Sequence, residues 1–370
     1  MRATQTYRLS RVIGHGTYAL VFQAVEANSG QQVALKKSRV SQRVKRPILQ
    51  YESRVLQLLQ GHPAIPALYG YGQLPHFEYL AMDLLGPSIK ECSHGPISVT
   101  TAVRVVLQML SALKHIHNCG FVHRDIKPEN VLCSPIDSSS ISLIDYGISR
   151  PIKPGPPARY DPLSESKHVV GTLHWASLNA HDGIDLAPRD DLESLAYVAF
   201  FLLRGDLPWR ATDSRNESMK NSMRRIRACK AAVLGDTLGT NLPAEFGYML
   251  DYSRSLQYDQ LPDYEELQRR FTELNAQVGN NDSKAPLDWS PVGTTKEPSG
   301  VDVHSNREDA ESDSGMGNDE DEDEDFSNSY FEWDIGDWDI QGARDRSLTL
   351  RTEMMELVNS SIPQIVEVTQ

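Results

Sequence analysis

The sequence predicts an α+β protein in two unequal parts: a small N-terminal antiparallel sheet with one helix, then a larger, mainly helical C-terminal part. Three observations carry this. Short runs rich in Val, Leu, Tyr and Phe, punctuated by Gly and Asn, fill residues 7–85 and read as strands. Apolar residues at helical spacing dominate residues 98–277. Beyond Trp289 both periods vanish into Ser, Gly, Asp and Glu, a composition that cannot bury enough apolar surface to offset chain entropy.

Residues 7–13, 20–27 and 31–37 are the first three strands, with Gly14, Gly16 and the turn from Asn28 to Gly30 between them. Pro47 opens a helix in which Ile48, Tyr51, Val55, Leu58 and Leu59 recur until Gly61 stops it. Residues 67–71 and 78–84 read as two more strands. After Gly86 and Pro87 the character changes. Ser98 precedes Val103, Val106, Leu107, Leu110, Leu113, Ile116 and His117, an apolar stripe that ends near Gly120. A second strong helix runs over 191–203, and further helical patterns cover 219–234, 243–256 and 263–277. The expected units are residues 1–86, residues 87–290 and a mostly disordered acidic tail, 291–370.

Charge separates the same units. The chain carries −13 overall, but residues 1–290 hold 32 Lys+Arg against 29 Asp+Glu, hence +3, and the remainder 5 against 21, hence −16. A folded part of +3 with scattered basic residues gives little ground for a nucleic-acid partner. Cys92, Cys119, Cys133 and Cys229 form no CxxC pair, which argues against a disulfide scaffold and a zinc site. No apolar signal core, membrane-length run or prenylation cysteine is present, and Arg2 replaces the glycine that myristoylation requires. The expectation is a monomer without a membrane partner, cytoplasmic and/or nuclear.

Residues 13–21, IGHGTYALV, join two predicted strands through small residues that let backbone N–H groups approach phosphates. Taken alone, the motif fits a tight ligand-free hairpin equally well. Lys36 follows on an apolar strand, where a buried ammonium needs an anionic partner. Nucleotide phosphates and Glu52 on the following helix are candidates; singly, Lys36 also fits an edge strand and Glu52 a solvated helix face. The decisive run is HRDIKPEN (123–130), followed after a short hairpin by DYG (145–147). Phosphoryl transfer needs a carboxylate for the hydroxyl proton, a cation near the transferred phosphate and oxygen ligands for Mg²⁺. Asp125, Lys127, Asn130 and Asp145 supply these in that order. His123 reads as a packed residue orienting the loop, and His115 and His117 as helix-borne structural residues.

These motifs resemble those of eukaryotic protein kinases, and within them the casein kinase I family. The narrower likeness rests on MDLLGPS (82–88), GTLHWASLN (171–179), RDDLESLA (189–196), RGDLPW (204–209), LPAEF (242–246) and PDY (262–264), all in order. It covers roughly residues 7–290 and stops at the tail. The resemblance implies the bilobal protein-kinase fold and a serine/threonine kinase using ATP and Mg²⁺ on acidic or phosphorylated protein sites. It implies Met82 as gatekeeper, adenine hydrogen bonds from the backbone of Asp83 and Leu85, and Ile13, Val21, Ala34, Leu132 and Ile144 around the ring. Gly14, Gly16, Lys36 and Glu52 complete the ATP site, with Asn130 and Asp145 as metal ligands. Asp191 would anchor the catalytic loop from beneath.

Departures from the family pattern are informative. Tyr146 replaces the usual Phe of the magnesium motif, so its hydroxyl needs a partner if buried, and Ala19 stands where a third glycine is usual. Neither removes a catalytic group, which disfavours a catalytically silent scaffold. His174 stands where the family usually has arginine; an unperturbed histidine is mostly neutral at pH 7. With Lys167 and Arg224 it forms the expected substrate anion pocket, with reduced preference for phosphorylated sites that grows toward pH 6. Lys220, Arg225 and Arg227 either compensate or form a solvated helix face. The prolines of residues 151–157 point to an extended path.

In the tail, Ser312 and Ser314 lie among Glu308, Asp309, Glu311 and Asp313, and residues 319–325 are all acidic. Three readings stay open: a solvated extension, a segment phosphorylated by and occupying its own enzyme's cleft, and a docking element for a partner built on Phe326, Tyr330, Phe331, Trp333 and Trp338. Arg346 to Val358 fits a short helix. A tail that chaperones basic proteins would explain the acidic run but not the catalytic motifs.

Overall fold

The computed structural model describes residues 5–15, 19–39, 48–74, 76–137, 139–163, 169–210, 217–278, 287–289 and 366–369. The N-terminal lobe is built from β1 (Gln5–His15), β2 (Ala19–Glu26), β3 (Gln32–Arg39), helix α1 (Ile48–Leu59), β4 (Leu68–Gln73) and β5 (Phe77–Asp83). The five strands are antiparallel in the order β1-β2-β3-β5-β4. Because side chains alternate along a strand, β3 sends Val33 and Leu35 to an outer cluster with Tyr7, Ala24, Tyr79 and Ala81. Ala34 belongs instead to the main core with Leu80 and Met82. Lys36 has the same parity as Ala34 and therefore faces α1.

In the C-terminal lobe come α2 (Ile89–Cys92), α3 (Val99–Asn118), β6 (Phe121–Val122), a 3-10 turn at Pro128–Asn130, β7 (Val131–Cys133), β8 (Ile141–Leu143) and β9 (Arg150–Pro151). They are followed by α4 (Leu178–His181), α5 (Pro188–Arg204), α6 (Met219–Ala232), α7 (Gly235–Leu238), α8 (Ala244–Ser255) and α9 (Tyr264–Gln277). Ser98 caps α3 by accepting from the Thr101 N–H. Helix α5 is buried on all sides from Leu192 to Leu203, as a central helix must be. It packs against α3 and α8. Pro188 begins it, where a missing N–H costs nothing, and Gly205 ends it at φ 80. β7 and β8 form one hairpin, and β6 pairs with β9. These two ribbons carry the loops of the site.

The fold is therefore the expected bilobal one. Helix α5 begins three residues before its apolar pattern, at Pro188, because Asp190 closes the first turn by accepting from the Ala187 N–H at 2.8 Å. The single-turn helices α2, α4 and α7 are additions, being too short to show a period. Ile152 to Ala158 is non-helical and bends at Gly155 and Pro156, with Gly155 at φ 86. Gly16, Pro47, Lys167 and the tail readings on residues 291–365 lie outside the described residues. At the chain's end, β10 (Val366–Thr369) pairs parallel with β1.

Candidate active site

The cleft between the lobes gathers charge from both. Lys36 on β3 donates to both Glu52 oxygens of α1, at 2.8 and 3.1 Å, and to Asp145 Oδ1 at 3.0 Å. Burial alone would lower the Lys36 pKa, but the two carboxylates outweigh it and hold the ammonium above its ordinary range. Lys36 in turn holds Asp145 below the usual carboxylate range. Burial pushes Glu52 up, with Lys36 opposing. Of the two carboxylates Asp145 is the firmly ionised one, since the nearby cation outweighs burial there.

The catalytic loop is fixed from below and behind. Asp191, 1% exposed, accepts from the backbone N–H of His123 (2.7 Å) and Arg124 (2.8 Å) and from His117 Nε2 (2.8 Å). The other ring nitrogen of His117 meets the Tyr264 hydroxyl. His123 accepts the Asp125 N–H at Nδ1, so its Nε2 carries the proton donated to the Ile144 carbonyl. Burial pushes the His123 pKa down, which keeps the ring neutral. A neutral histidine with both nitrogens committed orients the loop and is no base.

Asp125 stands at the centre of a tight polar group. Its Oδ2 accepts from Lys127 Nζ at 2.6 Å and Asn130 Nδ2 at 3.2 Å; its Oδ1 accepts from the Thr172 N–H and hydroxyl at 2.9 and 2.8 Å. Lys127 also donates to Thr172 Oγ1 at 2.9 Å. Thr172 is the contact that sequence reasoning missed, although it lies inside GTLHWASLN; its partner is 47 residues away. Gly171 makes the approach possible. At φ 83 a Cβ there would lie 2.5 Å from the Arg124 carbonyl oxygen.

Around this group the structure places the other expected residues. Ala34 and Met82 are cross-strand partners and Val21 lies opposite Lys36. Ile13 and Gly14 lie on β1, with Ile13 41% exposed. Asp83 ends β5 and uses its carboxylate on Ala67 N–H and the Tyr69 hydroxyl, each at 2.7 Å. Leu85 follows in the connection to α2, Leu132 lies on β7, and Ile144 hydrogen-bonds Asn130 through its N–H. Of the residues expected to form an anion pocket, His174 and Arg224 are described and Lys167 is not. His174 is half-buried and its backbone carbonyl accepts from Trp209 Nε1 at 2.9 Å, whereas Arg224 is exposed on α6. Arg225 is committed to Glu217 and Arg227 to Asp182, because each meets a carboxylate that the sequence pattern did not place beside it. Lys220 is exposed.

A family model described as Protein kinase domain matches residues 7–258. The chain belongs to that family. In a protein kinase this cleft takes ATP, with Mg²⁺ bound against its phosphates. The donors fit that ion: the Asn130 amide and the Asp145 carboxylate offer hard oxygens, and the Asp145 side chain remains 41% exposed. Among the described residues no group of three His, Cys, Asp or Glu is placed to hold a metal ion. The kinase's unusual Tyr146 is fully buried, and its hydroxyl donates to the Leu143 carbonyl at 3.0 Å. Its ring packs edge-on against His123, centroids 5.0 Å apart. The extra hydroxyl is thus satisfied within the kinase core.

Proposed function

We propose that this protein kinase is catalytically active, of casein kinase I type, and transfers the γ-phosphate of ATP to serine or threonine in acidic or phosphorylated protein segments. One observation carries the activity: Lys36, Glu52 and Asp145 are joined across the cleft while Asp125, Lys127 and Asn130 share one polar group. Protein kinases need the Lys–Glu pair and the magnesium-binding Asp in place together.

The roles follow from chemistry. Lys36, held by Glu52, pairs with the α- and β-phosphates of ATP. Asp145 and Asn130 hold Mg²⁺, which neutralises charge on the β- and γ-phosphates when bound. The substrate hydroxyl gives its proton to Asp125 as its oxygen bonds to the γ-phosphorus and the bond to ADP breaks. Lys127 stabilises the charge on the transferred group, and Thr172 fixes the Asp125 carboxylate so that its orientation costs nothing at the moment of reaction.

The casein kinase I type rests on the ordered motifs from residues 82 to 264. A reduced preference for phosphorylated sites is supported by His174 in the place of arginine and by the engagement of Arg225 and Arg227 elsewhere. We take ATP and Mg²⁺ as cofactors, acidic protein segments as substrates, and the cytosol or nucleus as the place of action.

The deciding experiment is transfer of labelled γ-phosphate from Mg·ATP to casein, with Asp125→Asn as the matched control. Labelling on serine and threonine that falls by at least about 100-fold in the variant is expected. No labelling by the full chain or by a version ending near Trp289 overturns the reading and leaves a nucleotide-binding scaffold.

A further inference from the structure

Helix α1 carries Glu52, so whatever fixes α1 fixes the partner of Lys36. An α-helix leaves its first N–H groups without intrahelical acceptors, and a side chain just ahead of it usually meets them. Here residues 43–47, RVKRP, supply none of the usual capping side chains, and the first turn of α1 holds no acidic residue. The acceptor comes instead from β5. Glu78 Oε1 accepts the Leu49 N–H at 3.0 Å, and its Oε2 accepts the Gln50 N–H at 3.1 Å. The Tyr71 hydroxyl of β4 donates to the same Oε2 at 3.2 Å. Glu78 and Leu49 are fully buried, and Tyr71 nearly so.

The register of the sheet puts this clamp beside the catalytic pair. Ala34, Lys36 and Ser38 of β3 lie opposite Met82, Leu80 and Glu78 of β5, and residues paired across two strands share a face. Lys36 and Glu78 therefore leave the sheet on one face, two positions apart in register, toward α1, which packs on β3, β4 and β5. The helix is held at two points less than one turn apart: Leu49 and Gln50 by Glu78, and Glu52 by Lys36. One contact would leave α1 free to pivot about it, whereas two from the same sheet face fix its rotation. Three donors converge on the two Glu78 oxygens at the positive end of the helix, which offsets the cost of burying a carboxylate. Burial raises the Glu78 pKa, and these hydrogen bonds oppose the rise.

We propose that Glu78 is a positioning residue: by capping the first turn of α1 from β5, it sets the rotation of the helix that brings Glu52 to Lys36. It acts through that pair and not on the reacting atoms. The inference rests on the kinase reading. It adds that the Lys36–Glu52 link is aligned by a neighbouring strand, where the helix's own sequence offers no cap.

The test is Glu78→Gln in the full chain, which keeps the shape and leaves one acceptor oxygen in place of two. Amide hydrogen exchange should speed up at residues 49–52 and stay as in the parent in the sheet of the N-terminal lobe and throughout the C-terminal lobe. The kcat should fall about tenfold, the worth of one hydrogen bond to a charged group. In a Glu52→Gln background, where the pair that Glu78 aligns is already broken, the same change should lower kcat by less than about twofold. Equal falls in the two backgrounds, which a merely structural role would give, overturn the proposal. So do an unchanged kcat, unchanged exchange at 49–52, or faster exchange across the whole lobe. If the parent chain transfers no phosphate, the kinase reading has failed, and the exchange pattern alone still decides whether Glu78 holds the helix.

Discussion

At the scale of residues, the buried titratable groups set how stability responds to acid. His181 on α4 is packed against Lys230, which donates to its Nε2 at 3.2 Å and to the carbonyls of Leu173 and Ala176 at 3.0 and 2.6 Å. Burial, then Lys230, lowers His181 to about 2. An unfolded histidine binds its proton near pH 6.5. Between those values the unfolded chain binds one more proton than the folded one, so this group's stabilisation is complete above pH 6.5 and is lost as pH falls. Buried Asp190, raised to about 6, works in the opposite sense between 6 and its ordinary value. The difference between parent and His181→Gln isolates the histidine. Unfolding free energies from urea titrations at pH 5 to 6.5 should show the variant's stability less steep by about 1 kcal/mol per pH unit; parallel curves would contradict the assignment.

Individual elements owe their places to apolar faces that match across distance. Helix α9 supplies Leu267, Phe271 and Leu274 to the core, and Phe271 meets Phe246 of α8 edge to face with ring centroids 5.2 Å apart. Both rings are fully buried. Phe271→Ala removes one ring and leaves a cavity, and should cost about 3–5 kcal/mol in a urea or thermal unfolding measurement. Such a loss is a large part of a typical domain's stability. The same change on an exposed face of α9, Thr272→Ala, should stay within about 0.5 kcal/mol.

For the whole molecule, the charge division is the main lever. Residues 1–290 carry +3 and the rest −16, so a tail that occupies its own cleft is drawn there by an attraction that salt screens. If the tail occupies the cleft, a chain ending near Trp289 should show kcat/KM about fivefold above the full chain at low salt, a typical coupling between sites. The gap should close as ionic strength rises. Equal values at low salt leave the tail without that role.

The sequence by itself determined the longer elements and the identities of the reacting groups. Strands and long helices declare their period within a few residues, as the stripe from Val103 to His117 does, and HRDIKPEN places Asp125, Lys127 and Asn130 within one local turn where no distant partner is needed to read them. Only the tertiary structure decided which groups meet. The order β3-β5-β4, the second carboxylate partner of Lys36 and the Thr172 contacts on Asp125 join residues that the chain separates by up to 109 positions. So does the diversion of Arg225 and Arg227 to Glu217 and Asp182. Periodicity is a property of neighbours along the chain, whereas these pairings are set by which distant groups the closed fold brings within reach of one another.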